Sequence, residues 1–119
     1  MAKLNSIIIC EEAVLSKETN NLSLINTFDS IRATGFPARH PKFVVVASVI
    51  ADEGSHTERM VIKKGDTEII SAQNNFTGKS HRWISHFLGT LFPEEGLYEI
   101  AYYLDGIFLG SAPLTLNKQ

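Results

Sequence analysis

The 119-residue sequence predicts an all-β domain: an antiparallel two-layer β-sandwich, immunoglobulin-like or related, of roughly eight strands. Three observations point there. Apolar residues arrive in short runs divided by turn chemistry, at the spacing expected of a sandwich. No stretch keeps the three-and-four spacing of an amphipathic helix over several turns. Near the end, strict alternation runs into Asp105-Gly106, a strong hairpin signal because both central residues of a type I′ turn need positive φ.

The first strand covers Leu4 to Val14, and the polar cluster Ser16 to Asn21 then serves as a hairpin loop. The return strand begins at Leu22. Alternation puts Leu22, Leu24 and Phe28 on one face, with Asn26 the exception, and Ile31 continues the element after a bend. Gly35 to Pro41 holds two prolines, which fix φ and remove donors, so it reads as an extended crossing between sheets and not as a strand. Phe43 to Ala51 is apolar on both faces: Phe43, Val45, Ala47 and Val49 against Val44, Val46 and Ile50. That is the mark of a central strand covered twice.

After the turn at Asp52 to Ser55, Thr57 to Lys63 is a strand with Met60 and Ile62 on one face and Val61 on the other. Lys64-Gly65-Asp66 turns the chain into a weaker strand, Glu68 to Ala72, and Gln73-Asn74-Asn75 reads as a loop or bulge. His81 to Leu88 follows, carrying the only tryptophan, Trp83, and Pro93 to Gly96 makes a tight turn. Tyr98, Ile100, Tyr102 and Leu104 then alternate with Glu99, Ala101, Tyr103 and Asp105, and the last strand runs from Ile107 to about Leu116.

Residues 1–119 read as one domain, since no repeat, linker or low-complexity segment divides them and the length suits a single core. A hydrophobic share of 44% with 20% charged residues suits a globular chain. The formal charge of −2, from 11 basic and 13 acidic residues, supplies no footprint for phosphate backbones or anionic lipid. Neither nucleic acid nor membrane is expected as a partner. The single cysteine, Cys10, cannot form an internal disulfide or a cysteine metal cluster. The run Ile7-Ile8-Ile9 is too short for a signal-peptide core and no run approaches the ~18 apolar residues of a membrane span, so a cytoplasmic location is expected. On that footing the triplets Asn21-Leu22-Ser23 and Asn75-Phe76-Thr77 are chance matches to the glycosylation pattern.

Several segments together resemble a family of small bacterial β-sandwich domains of unknown function. They are the strand ending Ile9-Cys10-Glu11, Leu22-Ser23-Leu24-Ile25 after a polar turn, and Phe36-Pro37-Ala38-Arg39-His40-Pro41 before an apolar strand. Glu95-Gly96-Leu97-Tyr98 with Leu104-Asp105-Gly106 and Leu109-Gly110 completes the set. The resemblance implies the fold and assigns no activity to any residue. It leaves open whether the chain is a bacterial housekeeping protein or a phage accessory.

The histidines are the ingredients available for metal or acid–base chemistry. His81 and His86 differ by an odd number, so a regular strand sends them to opposite faces, and His40 and His56 lie in a crossing and beside a turn. Cys10 precedes Glu11 and Glu12, whose charge disfavours a thiolate, and reads as a small hydrophobe. Glu94-Glu95 and Asp52-Glu53 are solvated turn charges, and no phosphate loop, serine elbow or zinc spacing occurs. No cofactor or catalytic residue is therefore expected.

A surplus of apolar residues stands out instead. Trp83 and Phe87 share one face of their strand while Ile84 and Leu88 share the other, and Tyr103 opposes Tyr102. The leading expectation is a non-enzymatic interaction or structural module that self-associates or docks on another protein, with Trp83, Phe87, Tyr103 and Phe108 as interface candidates. A small-ligand binder using the loops around His40, His56 and His81 is the second. A histidine-based metal hydrolase is the third.

Overall fold

The computed structural model describes all 119 residues, Met1–Gln119, and consists of strands and turns without a helix. Nine strands follow one another: β1 (Lys3–Leu15), β2 (Leu22–Thr27), β3 (Ser30–Ala33), β4 (Ala38–Ile50), β5 (Ser55–Lys64), β6 (Thr67–Thr77), β7 (Ser80–Phe92), β8 (Gly96–Leu104) and β9 (Ile107–Lys118). They form two sheets, a four-stranded one in the order β2-β1-β4-β7 and a five-stranded one in the order β3-β9-β8-β5-β6. All pairings are antiparallel except that of β3 with β9, which is parallel. No helix is long and apolar enough to cross a membrane.

Both sheets contribute to one core, as the alternation demands. Phe43, Val45, Ala47, Val49, Trp83 and Phe87 enter it from the first sheet, and Met60, Ile62, Tyr98, Ile100, Tyr102 and Leu114 from the second. Phe43 stacks on Phe87 with ring centroids 5.2 Å apart and planes 12° apart. Trp83 and Phe87 are therefore corrected from interface candidates to core residues, because their side of β7 faces the second sheet and not water.

The opposite face of the first sheet is apolar too, and the chain covers its centre itself, leaving Leu88 of β7 exposed. Pairing of β1 with β4 ends at Cys10 opposite Val44, while pairing of β1 with β2 continues to Leu15 opposite Leu22. Beyond Cys10 the β1–β2 hairpin is an arm. Ala13, Leu22 and Leu24 pack on Cys10, Val44 and Val46, and at the tip the Asn20 carbonyl accepts from Arg82 Nη2 of β7 at 3.2 Å. The arm thus crosses the sheet from β1 to β7. Asn26, with φ of 54°, breaks the pleat at its root, so Leu22 and Leu24 lie under the arm while Phe28 joins the main core. Simple alternation, which places those three on one face, fails at this bend.

Other expectations need adjustment. Ile31 does not continue β2 but lies in β3, on the other sheet. Ala38 to Pro41 belongs to β4. There β4 has only β7 beside it, since β1 has already departed, so a proline without N–H is tolerated. Gln73 to Asn75 is ladder, paired with Thr57 to Arg59. The Asp105-Gly106 hairpin forms as read, with φ of 50° and 82°.

Candidate functional site

Parity places a carboxylate in the interior. Glu58, Met60 and Ile62 share the inward face of β5, and Glu58 has no solvent exposure at all. A buried charge is costly unless fully partnered, and here three strands supply partners. Tyr102 on β8 donates its hydroxyl to Glu58 Oε1 at 2.7 Å, and Asn74 Nδ2 on β6 donates to Oε2 at 2.7 Å. From the other sheet, His81 Nδ1 on β7 approaches Oε2 to 2.7 Å, an ion-pair distance that lies off the line of a good hydrogen bond. Burial first, and then the Glu58 carboxylate, push the Tyr102 phenol far above its ordinary range, so it stays a donor.

An aromatic stack adjoins this cluster. The Phe76 ring lies 4.8 Å from His81, planes 13° apart, and 5.1 Å from His56 on the neighbouring strand. His56 donates from both ring nitrogens, to Asp105 Oδ2 at 2.7 Å and to the Asp52 carbonyl at 2.6 Å. An open groove of about 520 Å³ runs beside it, lined by His56, Thr57, Asn75 and Phe76 among others. Two of the three ligand-loop candidates, His56 and His81, are thus brought together around one phenylalanine.

The third is not. His81 sits opposite Val49 and His40 opposite Thr90, nine residues further back along β4, roughly 30 Å away at the rise of a strand. His40 packs against Phe28 and Phe43, and burial lowers its pKa, which keeps the imidazole neutral. His86 lies opposite Val44, on the face away from His81. Burial raises the pKa of Cys10 and outweighs an opposing main-chain hydrogen bond at Glu12, so its thiol is not poised as a nucleophile.

A family model matches residues 5–117, nearly the whole chain, and describes a family of unknown function, DUF6941. The chain belongs to that family. No curated protein matches it. Family membership agrees with the resemblance read from the sequence and, like it, brings no activity. Glu58, Asn74 and Tyr102 were not singled out from the sequence. The available signal was a glutamate at inward parity on an otherwise apolar strand face.

The His56–Asp105 pair predicts a pH dependence. Asp105 raises the pKa of His56, with the Asp52 carbonyl second, and His56 lowers that of Asp105. The His56 contribution to stability is complete below its unfolded pKa near 6.5 and disappears as pH rises through the raised folded value. The Asp105 contribution is complete above about 3.8 and disappears as pH falls through the lowered folded value. The melting-temperature gap between wild type and His56→Gln should therefore be widest between about pH 4 and 6.5 and narrow in alkali, as a thermal-denaturation series would show.

Proposed function

We propose that the chain is a non-enzymatic protein-interaction module that docks through the outer side of its β8–β9 hairpin. One observation carries this reading: Ile107 and Phe108, 65% and 52% exposed, stand at the hairpin tip with Tyr103 edge-to-face on Phe108, centroids 5.7 Å apart. A cross-strand aromatic pair stabilises its own hairpin by at most about 1 kcal/mol, which gives no reason to leave an isoleucine in water beside it. An exposed aromatic ring, backed by a half-buried tyrosine and next to an aliphatic side chain, is the composition of an interface anchor. The arm covers Cys10, Val44 and Val46 on the rival face, where Leu88 stays exposed, and this corner is the one place where an exposed aromatic ring stands beside an exposed aliphatic side chain. Phe108→Ser should leave stability within about 0.5 kcal/mol of wild type while weakening partner binding at least tenfold. Loss of stability with unchanged binding would reassign the pair to hairpin support.

A second reading is a small-ligand site at the His56–Phe76 groove, favoured by two imidazoles around one ring with a buried carboxylate behind. Thermal-shift screening of anionic and aromatic ligands tests it, with a His56→Gln control; no shift in wild type counts against it. As to fold, we infer that the two sheets are the layers of an immunoglobulin-related sandwich. Tyr98, at the start of β8, supports this: its hydroxyl donates to the Glu94 carbonyl at 2.6 Å, four residues upstream, as a tyrosine corner does.

A further inference from the structure

Free strand edges invite pairing, and folded chains blunt them. In this molecule every edge except one is short, bent, interrupted or, on β7, marked by a basic side chain at Arg82. The arm strand β2 has six residues and is bent at Asn26, and β3 has four. On β7 the backbone turns at Gly89, with φ of 59°, whose carbonyl accepts from Arg39 Nη1 at 2.6 Å. The exposed stretch of β1 is irregular between Leu4 and Ser6, and Leu4 leans onto Gly110 of β9. On β9, Thr115 N–H points towards β3, so by alternation Pro113 presents its missing donor on the same open side.

The exception is β6. Its eleven residues contain no proline, lysine or arginine, and its one charge, Glu68, is at the start and paired with Arg59. The irregularity opposite Ile62 and Lys63 precedes a regular ladder from Ile70 to Thr77. Gly78 N–H donates to the Gly54 carbonyl at 2.9 Å, so counting back in twos turns the main-chain groups of Phe76, Asn74, Ala72 and Ile70 towards β5. Those of Asn75, Gln73 and Ser71 face outward without a strand partner.

We propose that this edge pairs with the β6 edge of a second copy, antiparallel about a two-fold axis, with Gln73 opposite itself. The register follows from the residues. With Gln73 on the axis, Ser71 meets the second copy's Asn75 on the outer face, an uncharged pair of hydrogen-bonding side chains. On the inner face the half-buried Ile70 meets the second copy's half-buried Phe76. No like charges face one another. Main-chain bonds on both sides of the axis then join the two five-stranded sheets into one. Such a contact is smaller than a standard interface, so association depends on concentration. It uses a surface separate from Phe108, and the two proposals fail independently.

The test is the mass in solution by light scattering over a concentration series. Wild type should rise towards the dimer, and Phe108→Ser should do the same. Gln73→Lys and Gln73→Glu each place like charges across the axis and should weaken association on the order of a hundredfold, while their equimolar mixture restores it. A wild type that stays monomeric at its highest soluble concentration overturns the proposal, as does a dimer indifferent to Gln73→Lys. Should a charged variant fail to fold, Gln73→Cys decides: mild oxidation should give a covalent dimer, and failure to cross-link overturns the register.

Discussion

Replacing Glu58 by alanine should lower the melting temperature by on the order of 10–20 °C, the largest effect expected of any polar substitution in this chain. The carboxylate is wholly buried and receives Tyr102 and Asn74, with His81 against it from the opposite sheet. Its removal leaves two donors and an imidazole without their acceptor, a loss of about 3–5 kcal/mol. Glu58→Gln keeps the shape and the acceptor for Tyr102 and should cost less, on the order of 1–2 kcal/mol. Thermal denaturation of the two variants measures both. An alanine variant within about 0.5 kcal/mol of wild type would mean that water reaches the site and serves in place of the protein partners.

Trp83→Ala should cost about 3–5 kcal/mol and leave association unchanged in any variant that still folds. Trp83 is in the shared core, on the same side of β7 as Phe87, and its removal opens a cavity between the sheets. Urea denaturation with light scattering separates the two effects. A stable variant that has lost its partner would return Trp83 to the interface and contradict the placement of β7.

How much of this was legible beforehand varied with the range of the interactions. The β8–β9 hairpin was legible because alternation and Asp105-Gly106 are local signals that agree. The two-sided burial of β4 was legible because Val44 and Val46 break alternation with Phe43, Val45 and Ala47. What covers the outer side was not legible, since the arm lies over it only through a bend at Asn26 and a contact between Asn20 and Arg82. Ala38 to Pro41 looked like a connection because its tolerance of proline depends on β1 leaving β4 at that point. Gln73 to Asn75 looked like a loop because an edge strand with one wet face needs no apolar run.

The candidate site shows the same division. Histidines attract notice in a sequence, and two of the three proposed do meet around Phe76. The residue that organises them is Glu58. Its role requires β5, β6, β7 and β8 to converge from two sheets, and no spacing along the chain announces that.

The Ile107–Phe108 corner is proposed as the docking surface for another protein. The most direct measurement is photo-cross-linking in the native host, with a photoreactive phenylalanine at position 108 and, as a control, at the exposed loop residue Lys17. Position 108 should give a discrete adduct and position 17 none. Excess wild-type chain should compete the adduct away, and Phe108→Ser chain should not. An absent adduct at 108, or one that the Phe108→Ser chain competes equally well, would contradict it.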